Sequence, residues 1–450
     1  MRLGILRSTA VASVLGIAVL ASGCAPGGGG TTGQNPSPST VSTDISGSGP
    51  VTLELTDFWA GVEGEWIEAV IDDFEKKHPD VTIERTTEEW GQLNSTLNLK
   101  LQSDDGPDIA SANNGWQSLG TLARGGLVRN LDPYVEAYGW GETVPPTIAR
   151  QNQFSTDFTT MGTGSWFGTP MARTALIGLY YNIDELKALG LQPPTTLAEL
   201  ESAAAAVKAA GKTVFAYGSL DGVTAPLLGV QAALADKTAL GSYVYGDTSV
   251  KVSDIAVAEA AKVVGDWASK GYFPEGYNGI DYNTAIANFK AGQGVFRWEY
   301  TGSLGLDAEQ QKHFGYTQLA QSSGSVVAVG AAPAAMVISS RSEHPDVAAA
   351  FLDAMMSPEA GQRAADLGLV PALAPDATLP ATSGTLVEEA NAAKTLDKDD
   401  GYVPYFDWSS PTMFDTLTQQ LQLLYAGKST PQTLAEAVEQ DRSAFLAGQG

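Results

Sequence analysis

The chain has 450 residues, 43% of them hydrophobic and only 17% charged, which allows two or three domains with sizeable cores. Asp and Glu total 51 against 26 Lys and Arg, a formal net charge of −25, and this excludes a nucleic-acid footprint. One cysteine, Cys24, and three histidines, His78, His313 and His344, exclude an internal disulfide and argue against a Cys/His zinc site.

Residues 1–23 have the three parts of a secretion signal: Arg2 and Arg7, an apolar run from Ala10 to Leu20, then small residues. The run is too short to span a membrane. Ala21-Ser22-Gly23-Cys24 resembles a bacterial lipobox, with Ala21 where leucine is usual. That resemblance implies that Cys24 becomes a lipidated first residue, anchoring the protein to a membrane without a transmembrane helix. From Ala25 to Pro50 the chain is Gly, Ser, Thr and Pro with almost no large apolar side chain. Such a segment cannot offset its own ordering entropy, so residues 24–50 are expected to be a disordered tether.

Folding is then expected to start near Val51. Val51 to Trp59 alternates like a strand and ends on two aromatic rings. Trp66, Val70 and Phe74 share a helix face, and Trp66 is expected in the core. Val81 to Glu84 reads as a second strand, and Leu93, Leu97 and Leu101 form the stripe of a second helix. Gly106-Pro107 breaks that helix, and Asp108 to Ala112 is a short third strand, with Asp108 bracing the Gly-Pro turn. Strand alternating with helix points to a mostly parallel sheet with helices on both faces. Asn113-Asn114-Gly115-Trp116 follows at the third strand's carboxyl end, where open α/β sheets place their ligands. Two amides and an indole there suit a neutral, hydroxyl-rich ligand.

Further on, Phe167 to Asn182 and Val214 to Tyr217 read as strands. Thr196 and Glu199 occupy the cap and capping-box positions of a helix. Tyr282 to Lys290 is a helix, Gly294 to Trp298 a strand, Pro345 to Met356 a helix, and Thr430-Pro431 opens the last one.

Several segments, in order, resemble the extracellular solute-binding lipoproteins of bacterial ABC transporters, in the carbohydrate-binding cluster that includes maltose-binding protein. They are Phe74-Glu75-Lys76-Lys77-His78-Pro79-Asp80-Val81, Asp105-Gly106-Pro107-Asp108-Ile109, Gly126-Leu127-Val128-Arg129-Asn130-Leu131-Asp132, Leu179-Tyr180-Tyr181-Asn182, Phe289-Lys290-Ala291-Gly292-Gln293-Gly294 and Pro345 to Leu352. The resemblance implies an α/β, two-lobed periplasmic-binding-protein-like fold with a ligand cleft between discontinuous lobes. It implies one lobe from residues 51–173 with 333–372 and another from 176–330 with 385–450. Hinge crossings would fall near Ala172 to Leu176, Ala331 to Ala335 and Pro371 to Gly384, and the lobes would close by hinge bending.

A sugar presents C–H faces that stack on aromatic rings and hydroxyl edges that need paired donors and acceptors. Such pairings occur at Trp59 with Glu63, at Asn113, Asn114 and Trp116, at Trp298-Glu299-Tyr300, and at Asp407-Trp408, with Arg173 beside the first crossing. Trp298 and Trp408 stand where relatives of this cluster carry sugar-stacking rings. Glu88, Glu89 and Trp90 could line the cleft or be solvated surface. The expectation is a monomeric binding protein with no catalytic residue, cofactor or metal, which captures a carbohydrate, in particular an oligosaccharide, and delivers it to permease subunits. A polyol, a glycerophosphodiester or a peptide remains an alternative ligand. A glycoside hydrolase is the alternative from another class, since two carboxylates such as Glu299 and Asp407 could face each other.

Overall fold

The computed structural model describes residues 41–220, 223–331, 333–380 and 384–448. The signal-like segment 1–23, Cys24 and the tether up to residue 40 lie outside the described residues. Strands β1 (Val51–Asp57), β2 (Val81–Thr87), β3 (Ile109–Ala112), β4 (Gln153–Phe154), β5 (Ser165–Trp166) and β6 (Ala175–Asn182) come first. They are followed by β7 (Phe296–Tyr300), β8 (Phe314–Thr317), β9 (Ala328–Ala331), β10 (Ala335–Ile338) and β11 (Tyr402–Val403).

Lobe 1 is built on a sheet of order β10-β3-β1-β2. β1 pairs in parallel with β2 and β3, and β10 runs antiparallel against β3. The parallel pairs follow from crossover helices, Gly61–Lys77 after β1 and Trp90–Gln102 after β2. The first helix buries Trp66, Val70 and Phe74, and the second buries Leu93, Leu97 and Leu101, one on each face of the sheet. The Trp66 indole donates to the Ala360 carbonyl at 2.9 Å, which fastens the first helix to the later helix Pro358–Asp366.

Lobe 2 holds a sheet of order β11-β9-β6-β7, with β8 against the far half of β6. β6 is antiparallel to β7, β8 and β9, and β11 is parallel to β9. Helices Val257–Ser269, Met413–Tyr425 and Pro431–Ala447 pack together through Val264, Trp267, Leu417, Leu421, Leu434 and Val438, all fully buried.

The chain passes between the lobes along adjacent segments. Leu176 and Ala175 at the start of β6 pair with Gly330 and Ala331 at the end of β9. Ala172 accepts from the Ala372 N–H at 3.0 Å, and the Thr174 N–H donates to the Val370 carbonyl at 3.1 Å. Gly330 has φ +122°, and a Cβ there would lie 2.3 Å from the Ala175 carbonyl oxygen, so only glycine lets these segments run this close.

The structure departs from the sequence expectation in three places. The tether does not stay disordered to Pro50: Ile45 is 7% exposed in the lobe 1 core, and the Ser42 N–H donates to Asp346 at 3.2 Å. Val41 packs on the same core, and local turns such as the Ser46 N–H donating to Asp44 at 3.0 Å complete the docking of this tract. Phe167 to Asn182 is a strand only from Ala175, because Pro170 cannot donate to a ladder and the next residues form the crossing. Val214 to Tyr217 makes one parallel bridge, Phe215 with Phe296, and then turns at Gly218, where a Cβ would meet the Ile280 carbonyl at 2.3 Å. Thr196 caps its helix by accepting from the Glu199 N–H at 3.3 Å, while Glu199 turns back to the Thr195 N–H at 2.8 Å.

Candidate ligand-binding cleft

The carboxyl ends of β1, β2 and β3 form the lobe 1 rim. Beyond β1, Asp57 is fully buried and held by Arg85 at 2.6 and 2.8 Å, and it accepts the Trp59 N–H at 2.9 Å. This fixes the turn that presents Phe58 and Trp59. Phe58 is partly exposed and touches Trp90, beyond β2, with centroids 4.6 Å apart. Trp59 is only 3% exposed, and its ring lies against Phe58 and 5.1 Å from the Arg173 guanidinium. Arg173 pairs with Glu63 at 2.7 Å, yet its Nε and Nη2 are buried without a partner among the described residues. Glu88 gives one carboxylate oxygen to Lys100 and leaves the other buried and unpaired.

Beyond β3, Asn113 accepts the Asn114 N–H at 3.0 Å and donates to Gln117 at 2.9 Å. Asn114 is fully buried, donating to the Gln151 carbonyl at 3.3 Å and to Asn152 at 3.1 Å. Trp116 is enclosed by Phe154 at 4.9 Å, Phe445 at 5.2 Å and the Arg124 guanidinium at 4.9 Å. Its N–H donates across the cleft to the Trp408 carbonyl at 3.0 Å. Gly115 lies so close to Trp408 that a Cβ would come within 2.2 Å of the Trp408 Cβ. The lobes are in contact here.

Asp108, bracing the Gly-Pro turn in the sequence reading, instead joins lobe 1 elements: it accepts the Glu54 N–H at 3.0 Å and the Ser342 hydroxyl at 2.5 Å.

On lobe 2, β7 and β11 run towards the crossings and present their carboxyl ends to the cleft. Trp298 packs on Gly229, where a Cβ would meet the ring at 2.3 Å, and its indole N–H is buried without a partner. Tyr300 is partly exposed, 6.4 Å from Tyr405, whose ring lies tilted against Trp408 at 4.9 Å. Asp407 is 5% exposed and its Oδ1 has no partner among the described residues. Burial pushes its carboxyl up to about 7. Burial and the nearby Glu299 and Asp407 also raise the Tyr300 hydroxyl.

The side chains named from the sequence thus fall into three groups: Trp59, Glu63 and Arg173 by the first crossing, Asn113, Asn114, Trp116 and Trp408 at the lobe contact, and Trp298, Tyr300 and Asp407 on lobe 2. Glu299 is already engaged by protein groups. Its oxygens are taken by Arg297 at 2.9 and 2.5 Å, by the Tyr282 hydroxyl at 2.8 Å and by the Tyr300 N–H at 2.9 Å. It braces the rim, and the signal was present, since residues two apart on a strand share a face. The rings of Trp59 and Trp116 are likewise covered by protein groups. Phe58 was not singled out from the sequence as a ligand contact, and Trp90 only as a residue that could line the cleft; with Tyr300 and Tyr405 they are partly exposed rings beside it.

From residue 60 to residue 362, more than half its length, the chain matches the bacterial extracellular solute-binding proteins, and it belongs to that family. It is 22% identical to the multiple sugar-binding protein of Streptococcus mutans over 309 residues, which is 67% of this chain and 70% of that protein. It is 28% identical over 180 residues to an uncharacterized ABC transporter extracellular-binding protein of Pyrococcus horikoshii. That match covers 40% of this chain and 38% of the relative's length. Among solved structures, a chitin oligosaccharide binding protein superposes with a TM-score of 0.74 at 22% identity, over 88% of this chain and 99% of its own. The fold is the two-lobed α/β fold of periplasmic-binding-protein-like receptors.

Proposed function

We propose that this protein is the external receptor of an ABC importer: it captures a carbohydrate by closing its lobes and delivers it, as a monomer, to the membrane permease. The observation that carries the reading is the set of buried, partnerless polar atoms beside aromatic faces on lobe 2. One Asp407 carboxyl oxygen lacks a partner and the Trp298 indole lacks an acceptor, while Tyr300 and Tyr405 offer partly exposed rings. Leaving such groups unsatisfied is costly, and a hydroxyl supplies both a donor and an acceptor. A sugar brings several hydroxyls together with C–H faces for the rings. The kinship with a sugar-binding relative supports the same ligand class.

Closure and delivery then share one equilibrium, because a ligand that contacts both lobes stabilises the closed arrangement the permease would recognise. A lipid on Cys24 would hold the receptor at the outer face of the membrane. Hydrolysis is disfavoured, since it needs two working carboxylates and Glu299 is held by Arg297 and Tyr282.

The test is thermal unfolding against mono- and oligosaccharides, polyols, glycerophosphodiesters and peptides. A ligand that binds only the native state raises the midpoint. The reading expects a rise with a carbohydrate and recovery of that sugar unchanged. A rise confined to a polyol, glycerophosphodiester or peptide would contradict the ligand, and consumption of the sugar would contradict the absence of catalysis.

A further inference from the structure

We infer that the cleft is walled at one end, so that the receptor holds one terminus of a saccharide rather than the interior of a chain. The inference rests on the carbohydrate reading above and adds to it which part of the sugar is bound. Sheet order sets the geometry: β1 lies between β3 and β2, so the turns after β3 and β2 stand at opposite ends of the lobe 1 rim.

At the β3 end the lobes are joined. The Trp116 N–H bonds to the Trp408 carbonyl at 3.0 Å, Gly115 abuts the Trp408 side chain, and Phe445 lies 5.2 Å from Trp116. Farther along the chain from β3, the Arg150 guanidinium stands 4.4 Å from the Tyr245 ring, and a Cβ on Gly162 would meet that ring at 2.6 Å. At the β2 end, Glu88 and Trp90 make no hydrogen bond, ion pair or ring contact to lobe 2 among the described residues. The row of lobe 2 rings, Tyr300 to Tyr405 to Trp408, leads from beside the first crossing, where Tyr300 pairs with Ile177, into the wall.

Asp407, with its partnerless oxygen, is the residue next to Trp408. A sugar inside a chain has spent a hydroxyl on each linkage, whereas a terminal sugar keeps one more. The terminal ring fits here, its extra hydroxyl donating to Asp407, with the rest of the chain leaving past Trp90.

The experiment uses linear gluco-, xylo- and chito-oligosaccharides of three to six residues, each plain, with a bulky aromatic group at the reducing terminus, or with that group at the non-reducing terminus. Affinities are measured by calorimetry for the wild-type protein and for Phe445→Ala, which removes a half-exposed ring from the wall. For the series that binds, a label at one terminus should cost at least about tenfold in Kd and a label at the other under about threefold. In Phe445→Ala the larger penalty should fall, and in Phe445→Ala combined with Trp116→Ala it should fall further. Equal tolerance of both labels, or a penalty unchanged in both variants, overturns the wall. Failure of every plain oligosaccharide to bind overturns instead the carbohydrate reading on which it rests.

Discussion

The two ends of the cleft differ in how their polar and aromatic groups are satisfied. At the walled end, Trp116 is covered by Phe154, Phe445 and Arg124, Trp408 by Tyr405 and Gly115, and a main-chain hydrogen bond joins the lobes. Towards the other end and the cleft floor, one oxygen of Glu88, two nitrogens of Arg173 and the indole N–H of Trp298 are buried without partners. Asp407 stands at the boundary, with its neighbour in the wall and its own oxygen unpaired. Buried polar groups in folded proteins are almost always paired, so a concentration of unpaired ones marks where another molecule supplies the bonds. Closing contacts and an unpaired polar atom thus meet at Asp407 and Trp408. Asn114 and Ser409 also keep an unpaired oxygen near the wall.

This contrast can be broken by moving one end without the other. Asp407→Ala should have the largest effect, because it removes the ligand's buried partner: about 1–3 kcal/mol, or roughly 5- to 150-fold in Kd by calorimetry, with the unliganded fold intact. Gly115→Val should act through the wall alone. A side chain there collides with Trp408, so the lobes part, small-angle scattering reports a larger radius, and affinity falls roughly tenfold.

The next effect is on pH. Burial raises Asp407 from 3.8 and Glu389 from 4.5, each to about 7. A carboxyl whose folded value lies above its unfolded value holds its proton more tightly in the fold. Its contribution is full below the unfolded value and is lost as pH rises through the folded one. Unliganded stability should therefore decline from near pH 4 to pH 7, and Asp407→Asn should flatten that decline by about 1 kcal/mol per pH unit in denaturant titrations. Glu389→Gln should do the same from its buried place on the helix Thr385–Asp399. Smallest of all is Tyr405→Phe, which keeps the ring against Trp408 and should change Kd under about threefold.

Much of lobe 1 is legible in the sequence because its signals are local. The Trp66/Val70/Phe74 and Leu93/Leu97/Leu101 stripes and the break at Gly106-Pro107 are all short-range patterns, and they place Asn113 to Trp116 at a strand end. What covers Trp116 is not legible, because Trp408 and Phe445 reach it from near the other end of the chain, through a closure that no periodicity encodes. The partners of Glu299 are not legible either, although Arg297 two residues before it on the same strand face takes one of its oxygens. Val41 and Ile45 show the limit of composition, since two apolar residues in a Gly- and Ser-rich tract dock it on the lobe 1 core.

The central claim is that the polar atoms left unpaired on lobe 2 await a sugar. It is tested most directly by titrating the protein and its Asp407→Ala variant with a saccharide that raises the unfolding midpoint, following heat and recovering the sugar afterwards. The account predicts one site per chain, unchanged sugar, and binding largely lost in the variant while its unliganded midpoint stays at or above that of the wild type. Equal affinity in the two proteins would place the ligand elsewhere and contradict it.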